Sequence, residues 1–419
     1  MKPLTQSSLD SSKKITQNRV DILLTLRGLA CLMVVVAHCN FPRASLVYHT
    51  FDLSWLLFSA GGVAVRIFFC LSGYFMGKAF CSRRYAIDRS GILNFWRNRA
   101  LRVFPLYYFS VIVTGFWIYP DLFKVANWGY LLRILTFTYN QTLPIAFNGA
   151  LWTLSTEVQF YLLVPFIFVY CHNRLCLKTQ VKNLALGIIV GSFVLRWICW
   201  GILQFKFQPP EDAIAFVQYI YVPLWMNLDV FLCGFLLNFW INYDDTQKSQ
   251  NPFIYPIHLS GCKHQRFRTY SQINCRSIAI FLVLLLYFFT AYFKYYNQQI
   301  LGLFSPTLTL LVTCFLIYTV EKPSELPNAD RRNRKLSLKA CRDNPWRIWE
   351  VLGVLSYGIY IWHLPILSAI HPIVTSESLL AAYFYRFFAT LILSTLLATV
   401  TYYIIELPTA NLKKITPHS

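Results

Sequence analysis

Charged residues make up only 13% of this 419-residue sequence, and acidic ones are the rarest, 18 Asp and Glu against 38 Lys and Arg. An ordinary soluble domain carries roughly 25% charge. A chain this poor in charge and 56% hydrophobic cannot clothe a soluble surface, and it reads as a polytopic membrane protein. None of the 12 cysteines pairs at C-x-x-C spacing, which excludes a thioredoxin-type or zinc-finger motif. Cys70, Cys199, Cys233 and Cys314 fall inside apolar runs and behave as small hydrophobes. Cys171, His172 and Cys176, or Cys262 with His264, lack a second pair at ligand spacing, so no metal is expected. The long polar loops contain neither G-x-G-x-x-G nor a P-loop, so any nucleotide must be held by arginines. No internal repeat is apparent, which counts against a transporter built from paired halves.

What is present is a series of apolar runs near residues 22–41, 58–76, 103–119, 152–171, 183–203, 219–241, 277–293, 302–320, 350–370 and 381–405, each close to the roughly 20 residues that cross a bilayer. The expected fold class is an all-α integral membrane protein of about ten transmembrane helices. The first run is broken by Arg27 and lacks a small-residue cleavage site, so it is expected as a retained helix and not as a secretory signal. With the N-terminus inside, the inner segments 1–21, 77–102, 172–182, 242–276, 321–349 and 406–419 hold 29 of the 38 Lys and Arg, and the outer loops hold five. The positive-inside rule therefore puts both termini in the cytoplasm. The net charge of +20 reports orientation, and no nucleic-acid partner is expected. Segment 120–151 suits a short amphipathic helix at the interface, placed to roof a cavity. The loops 242–276 and 321–349 read as mobile covers or lipid-headgroup contacts. A lone sequon, Asn140-Gln-Thr142, lies on the expected outer side.

The run "TLRGLACLMVVVAHCN" carries two ionisable groups at membrane depth, which is costly and by default functional. Eleven positions at 100° each return to within about 20° of the starting azimuth, so Arg27 and His38 share one stripe, roughly 16 Å apart along the axis. Four more clusters stand out. They are "RIFFCLSGYFMG" from Arg66, "FWRNRALRVFPLYY" with Arg99 and Arg102 one turn apart, "LWTLSTEVQFYLLVPF" with Glu157 in an apolar helix, and "LGVLSYGIYIWHLPIL". In the last, Ser356, Tyr360 and His363 occupy i, i+4 and i+7 and share a face.

In this order, Arg-x10-His, FFxLSG, RxxR, W-x-L-x-x-E-x-x-F-Y and SYxxYxxH, the set resembles the acyltransferase 3 family of integral-membrane O-acyltransferases over nearly the whole chain. Asp229, Phe231 and Gly234, and Glu406 with Pro408, are weaker echoes. The resemblance implies an acyltransferase domain over 22–406 between short cytoplasmic tails, 1–21 and 407–419, in the cell (inner) membrane. It implies an O-acetyltransferase that moves an acetyl or other short acyl group from cytoplasmic acetyl-CoA or another acyl-CoA to a glycan hydroxyl. Acceptors in such a family are lipopolysaccharide, capsule, exopolysaccharide and peptidoglycan. No permanently bound cofactor is expected; acyl-CoA, membrane lipids and a glycan or lipid-linked saccharide are the expected partners. Many relatives have an acidic residue just before the FF pair, where this chain has Arg66. Glu157 or Asp229 then stand as replacement carboxylates for His38. The chain also lacks the soluble SGNH hydrolase-like domain of some members, so a complete reaction is expected within the membrane unit or with a separate partner.

Acyl transfer to a hydroxyl needs a base, an oxyanion donor and a site for the nucleotide of the leaving thiol. His38 is the expected base by residue type. Arg27, Arg99 and Arg102 are the expected phosphate forks, Arg27 also as a member of the catalytic set with His38 and Glu157, and snorkelling to headgroups is the plain alternative for all three. Glu157 must be paired, protonated or wet, as an arginine partner or in proton transfer. Tyr360 and His363 are expected to bind substrate, with helix packing as the alternative. Ser72 and Gly73 read as close helix packing. Two rival functions stay open: a transporter or flippase of a lipid-linked glycan or acyl donor, and a non-catalytic partner in polysaccharide assembly.

Overall fold

The computed structural model describes residues 20–139, 147–207, 211–250, 262–296, 298–321, 341–342, 344–373 and 378–413. The sequon, both chain ends and the central parts of the two long polar loops lie outside the described residues. The protein is an all-α multi-pass membrane protein: among the described residues, nine helices are long and apolar enough to cross a bilayer. The helix that carries the Arg27 and His38 stripe, α1 (Ile22–His38), is a tenth at 17 residues. A belt of large apolar side chains is left exposed toward lipid, as at Leu186, Val190, Ile198, Phe388, Ile392 and Leu396.

The helices begin where the sequence supplies caps. Asp21 accepts from the amides of Leu23 and Leu24 to start α1. Asp88 caps α3 (Arg89–Trp117) through Gly91. That start corrects one expectation, because Arg99 and Arg102 lie inside a long helix whose polar first half precedes its apolar run at 103. The expected loop 242–276 is likewise shortened by helices α8 (Leu224–Gln250) and α9 (Cys262–Tyr296). In 120–151 the expected amphipathic helix is α4 (Trp128–Leu135). Tyr107 and Tyr108 donate to its last-turn carbonyls at Ile134 and Leu135, each at 2.9 Å, and the end of the segment, at Gly149 and Ala150, lines a cavity.

Two helix pairs organise the bundle. α1 packs on α11 (Ile348–Ile370), and α2 (Gly61–Cys81) packs on α8. Close approach rests on glycine in both. A Cβ on Gly353 would lie 2.0 Å from the Leu24 carbonyl oxygen, and one on Gly28 2.4 Å from that of Trp349. In the second pair, Gly73 meets the Phe231 carbonyl oxygen and Gly234 that of Cys70, at 2.0 and 2.1 Å. Cys31 and Ser356, and His38 and His363, meet at the same sequence separation of 325, so α1 and α11 run parallel in fixed register.

Prolines inside the helices free carbonyls that neighbours then occupy. In α5 (Leu151–Arg174), Pro165 leaves the Tyr161 carbonyl to accept from Trp96 Nε1 at 3.2 Å, which ties α3 to α5. In α11, Pro365 leaves the Ile361 carbonyl to accept from Asn148 Nδ2 at 2.9 Å, fixing the chain that enters α5. Replacing Gly353 by Val should lower the thermal unfolding midpoint of the detergent-solubilised protein, since overpacking costs about 1–3 kcal/mol. Gly187→Ala, where a Cβ meets nothing within 4 Å, should leave the midpoint in place.

Candidate active site

The polar ends of the α1 stripe open into two different cavities. The first, of about 480 Å³, takes Arg27 from α1, Lys78 from α2, Arg84 from the turn after it, Arg99 and Arg102 from α3, and Glu157 from α5. Long side chains on five segments thus converge at one end of the bundle. The Nε atoms of Arg27, Arg84 and Arg99 are buried without a hydrogen-bond partner among the described residues. Lys78 is matched by Glu321, Nζ to Oε2 at 2.7 Å, but the four arginines face one lining carboxylate with guanidinium donors unspent, which is an environment for a polyanion. Lys413, just beyond the last helix, adds to the same field; burial first, then Arg102, Arg99 and Arg84, lower its ammonium to about 8.

Within this cavity the partners are specific. Arg27 Nη2 donates to Ser356 Oγ at 3.2 Å, and Ser356 donates on to the Gly353 carbonyl at 2.8 Å. The Glu157 carboxylate accepts from Ser72 Oγ at 2.6 Å and from Tyr161 OH at 2.5 Å, both on Oε1. Among the described residues Glu157 makes no ion pair with an arginine, so the expected arginine partnership is not formed. Ser72 therefore has a polar role as well as standing beside the tightly packed Gly73.

The second cavity, of about 450 Å³, takes His38 from α1, Arg66 from α2, Trp152 from α5, Tyr221, and Lys294 from α9. Tyr221 ends a π-helical turn, Val217–Tyr221. Val65 and Tyr360 line both cavities, so the wall between them is one side chain thick. Tyr360 is held there by Thr153, whose Oγ1 donates to its hydroxyl at 2.9 Å.

His38 and His363 meet across the α1 and α11 seam, Nδ1 to Nε2 at 3.1 Å. His363 Nδ1 lies 2.7 Å from the Tyr360 carbonyl, which can only accept, so that nitrogen carries the proton and His363 Nε2 is an acceptor. His38 Nδ1 then donates, shared between His363 Nε2 and the Val34 carbonyl at 3.0 Å. The network assigns the lone pair of His38 to Nε2. Neither replacement carboxylate reaches His38. Asp229 is taken by Arg196 on α6 (Lys178–Lys206), Nη2 to Oδ1 at 2.5 Å, with both side chains buried. Arg196 also donates twice to the Met226 carbonyl.

A family model described as "Acyltransferase domain" matches residues 21–403. The O-acetyltransferase OatA of Staphylococcus aureus is 24% identical over 401 residues, 91% of this chain and 56% of that protein. The peptidoglycan O-acetyltransferase OatA of Listeria monocytogenes is 26% identical over 367 residues, 83% of this chain and 49% of that protein. The chain thus spans about half the length of the curated relatives it matches. No solved structure matches it.

Sequence reading did not single out Lys78, Arg84 or Lys294 as cavity residues, because no motif marks any of them and only the bundle brings each to a site. The Arg196 and Asp229 pair was equally hidden, being an interhelical contact. Its role is structural. Asp229→Leu should destabilise the protein by about 3–5 kcal/mol by leaving a buried cation unmatched, and the Arg196→Leu and Asp229→Leu double variant should recover most of that loss in the same thermal assay.

Proposed function

The chain belongs to the acyltransferase 3 family, and from that premise we propose that it is a membrane O-acetyltransferase that acts on a cell-envelope glycan. On this reading the first cavity faces the cytoplasm of a cell whose inner membrane holds the protein, and it receives acetyl-CoA or a related acyl-CoA. The observation that carries the proposal is the pairing of two cavities of opposite task across one shared wall at Tyr360. The excess of Lys and Arg in the segments on the Arg27 side supports the orientation. The unspent guanidinium donors support a thioester whose nucleotide carries phosphates. Its pantetheine arm is thin enough to enter between helices and bring the acyl carbon to Tyr360.

The chemistry then follows from the assigned protons. A glycan hydroxyl in the second cavity gives its proton to His38 Nε2 as its oxygen attacks the thioester carbonyl. The imidazolium is steadied by its shared Nδ1 donation to His363 and to the Val34 carbonyl. The carbon–sulfur bond breaks, the thiolate takes back the proton, and an O-acetyl ester and free thiol remain. Tyr360 OH, on the wall between the cavities, is the hydroxyl this reading assigns to the tetrahedral oxyanion. The peptidoglycan acetylation named for the Listeria relative supports a glycan acceptor. A flippase would have no use for a mouth of arginines at one face.

His38→Gln should abolish acetyl transfer, since glutamine keeps a hydrogen bond but accepts no proton at neutral pH. Acetyl-CoA binding and the amount of inserted protein should stay at wild-type level; transfer of radiolabelled acetyl to envelope glycan, measured beside binding, checks both. Donor affinity should also depend on pH through Lys413. The ammonium is charged below about 8 and neutral above it, so acetyl-CoA binding should weaken as pH rises from 7 to 9. Lys413→Gln should flatten that slope, and Arg99→Ala with Arg102→Ala should lower affinity at every pH, as read by equilibrium binding.

A further inference from the structure

Arg66 is a buried cation without a counter-charge. It is only 3% exposed, yet its charge-bearing group makes a single hydrogen bond, Nη1 to the Gly62 carbonyl at 3.1 Å. Its Nε has no partner among the described residues. The guanidinium lies 5.1 Å from the centre of the Tyr221 ring, which fixes its plane. Gly62 must be bare for this to happen, because a Cβ there would stand 2.6 Å from Tyr221 Oη and 3.0 Å from Arg66 Nη1. Tyr221 is itself fixed, its carbonyl accepting from Asn227 Nδ2 at 2.9 Å. Asp229, whose charge acts on Arg66, is paired with Arg196.

Lys294 lines the same cavity, and among its described lining residues there is no Asp or Glu. Two cations without an anion, one of them nine-tenths buried and more, is a costly arrangement in a membrane unless a ligand completes it. The rest of the lining is suited to a sugar: it includes the aromatic side chains of Trp152, Phe216, Tyr221 and Tyr360 and the hydrogen-bonding side chains of Gln299 and Ser305. We infer that the second cavity is an anion-selective saccharide site, which takes a sugar unit bearing a carboxylate or phosphate and holds that group on Arg66 and Lys294. This rests on the reading of that cavity as the acceptor side, and it narrows the acceptor from any glycan hydroxyl to one on, or next to, an acidic sugar.

The test uses the full chain in nanodiscs and four probes, glucuronate against its neutral amide and glucose 1-phosphate against glucose, with binding followed by saturation-transfer NMR. At least one anion should bind about tenfold tighter than its neutral counterpart, the worth of a charge-assisted pair. A preference confined to glucuronate assigns a carboxylate on the sugar, and one confined to glucose 1-phosphate assigns an anomeric phosphate, as in a lipid-linked unit. Arg66→Gln and Lys294→Gln should each remove the preference, and Arg66→Lys should keep part of it. Should Arg66→Gln fail to insert, Lys294→Gln, at a half-buried position, carries the test. Equal binding of charged and neutral probes, no binding of either anion, or an unchanged preference in Lys294→Gln overturns the inference. Acetyl-CoA binding in the same nanodiscs reads the acyltransferase proposal separately and should be unaffected by either variant.

Discussion

The parallel seam between α1 and α11 is the contact on which the polar architecture depends. Two glycines, Gly28 and Gly353, bring the backbones close enough that a Cβ on either would strike a carbonyl oxygen. At that distance the register cannot slip without a steric clash, and it is kept from Gly28 to His38. Arg27 is thereby delivered to Ser356 at one end and His38 to His363 at the other. A helix pair separated by a layer of leucines would leave these groups facing apolar side chains, where an unpaired arginine or imidazole costs several kcal/mol.

The same economy governs the freed carbonyls. A proline in a membrane helix leaves an acceptor that water cannot reach, so a neighbour must supply a donor. Here the donors are Trp96 and Asn148, each from a segment that borders a cavity. Asn148 lies just before Ala150, whose carbonyl accepts from the Tyr360 hydroxyl at 3.4 Å, and Thr153 donates to that same hydroxyl. The defect in α11 is thus used to set the wall residue of α11 itself. Glu157 is treated alike, with two hydroxyls on one carboxylate oxygen, so the cavity cations keep donors for a ligand.

Much of this was legible in the residues. The apolar runs give the spans because a bilayer imposes one length, and the 100° periodicity puts Arg27 and His38 on one stripe and Ser356, Tyr360 and His363 on another. That the two stripes face each other was not legible, since nothing in either segment encodes its partner across 325 positions. Helix starts were misjudged for a related reason. Apolar length marks where a helix meets lipid, whereas α3 begins at an Asp cap fifteen residues before its apolar run, so Arg99 and Arg102 ride on a rigid element and not on a loop. Arg66 was noticed only as a departure from a pattern. Its meaning appears once Asp229 is seen paired to Arg196 and Tyr221 beneath the guanidinium.

The placement of the two histidines bears on how a proton can be handled where water is scarce. An isolated imidazole in an apolar helix bundle has no partner to select its tautomer, and the form protonated at Nε2 presents a donor to the second cavity in place of a lone pair. The chain of carbonyl, His363 and His38 removes that ambiguity: Tyr360 supplies an acceptor that cannot donate, which fixes His363, which in turn fixes His38. A carboxylate beside His38 would fix the same tautomer, but it would also place a negative charge at the mouth of the second cavity. With a histidine in that role the orientation is kept while the only formal charges contributed by the described lining residues are those of Arg66 and Lys294. The absence of a carboxylate partner for His38 and the presence of an unpaired arginine in the same cavity are therefore one design, in which a neutral orienting group leaves the site's positive field intact.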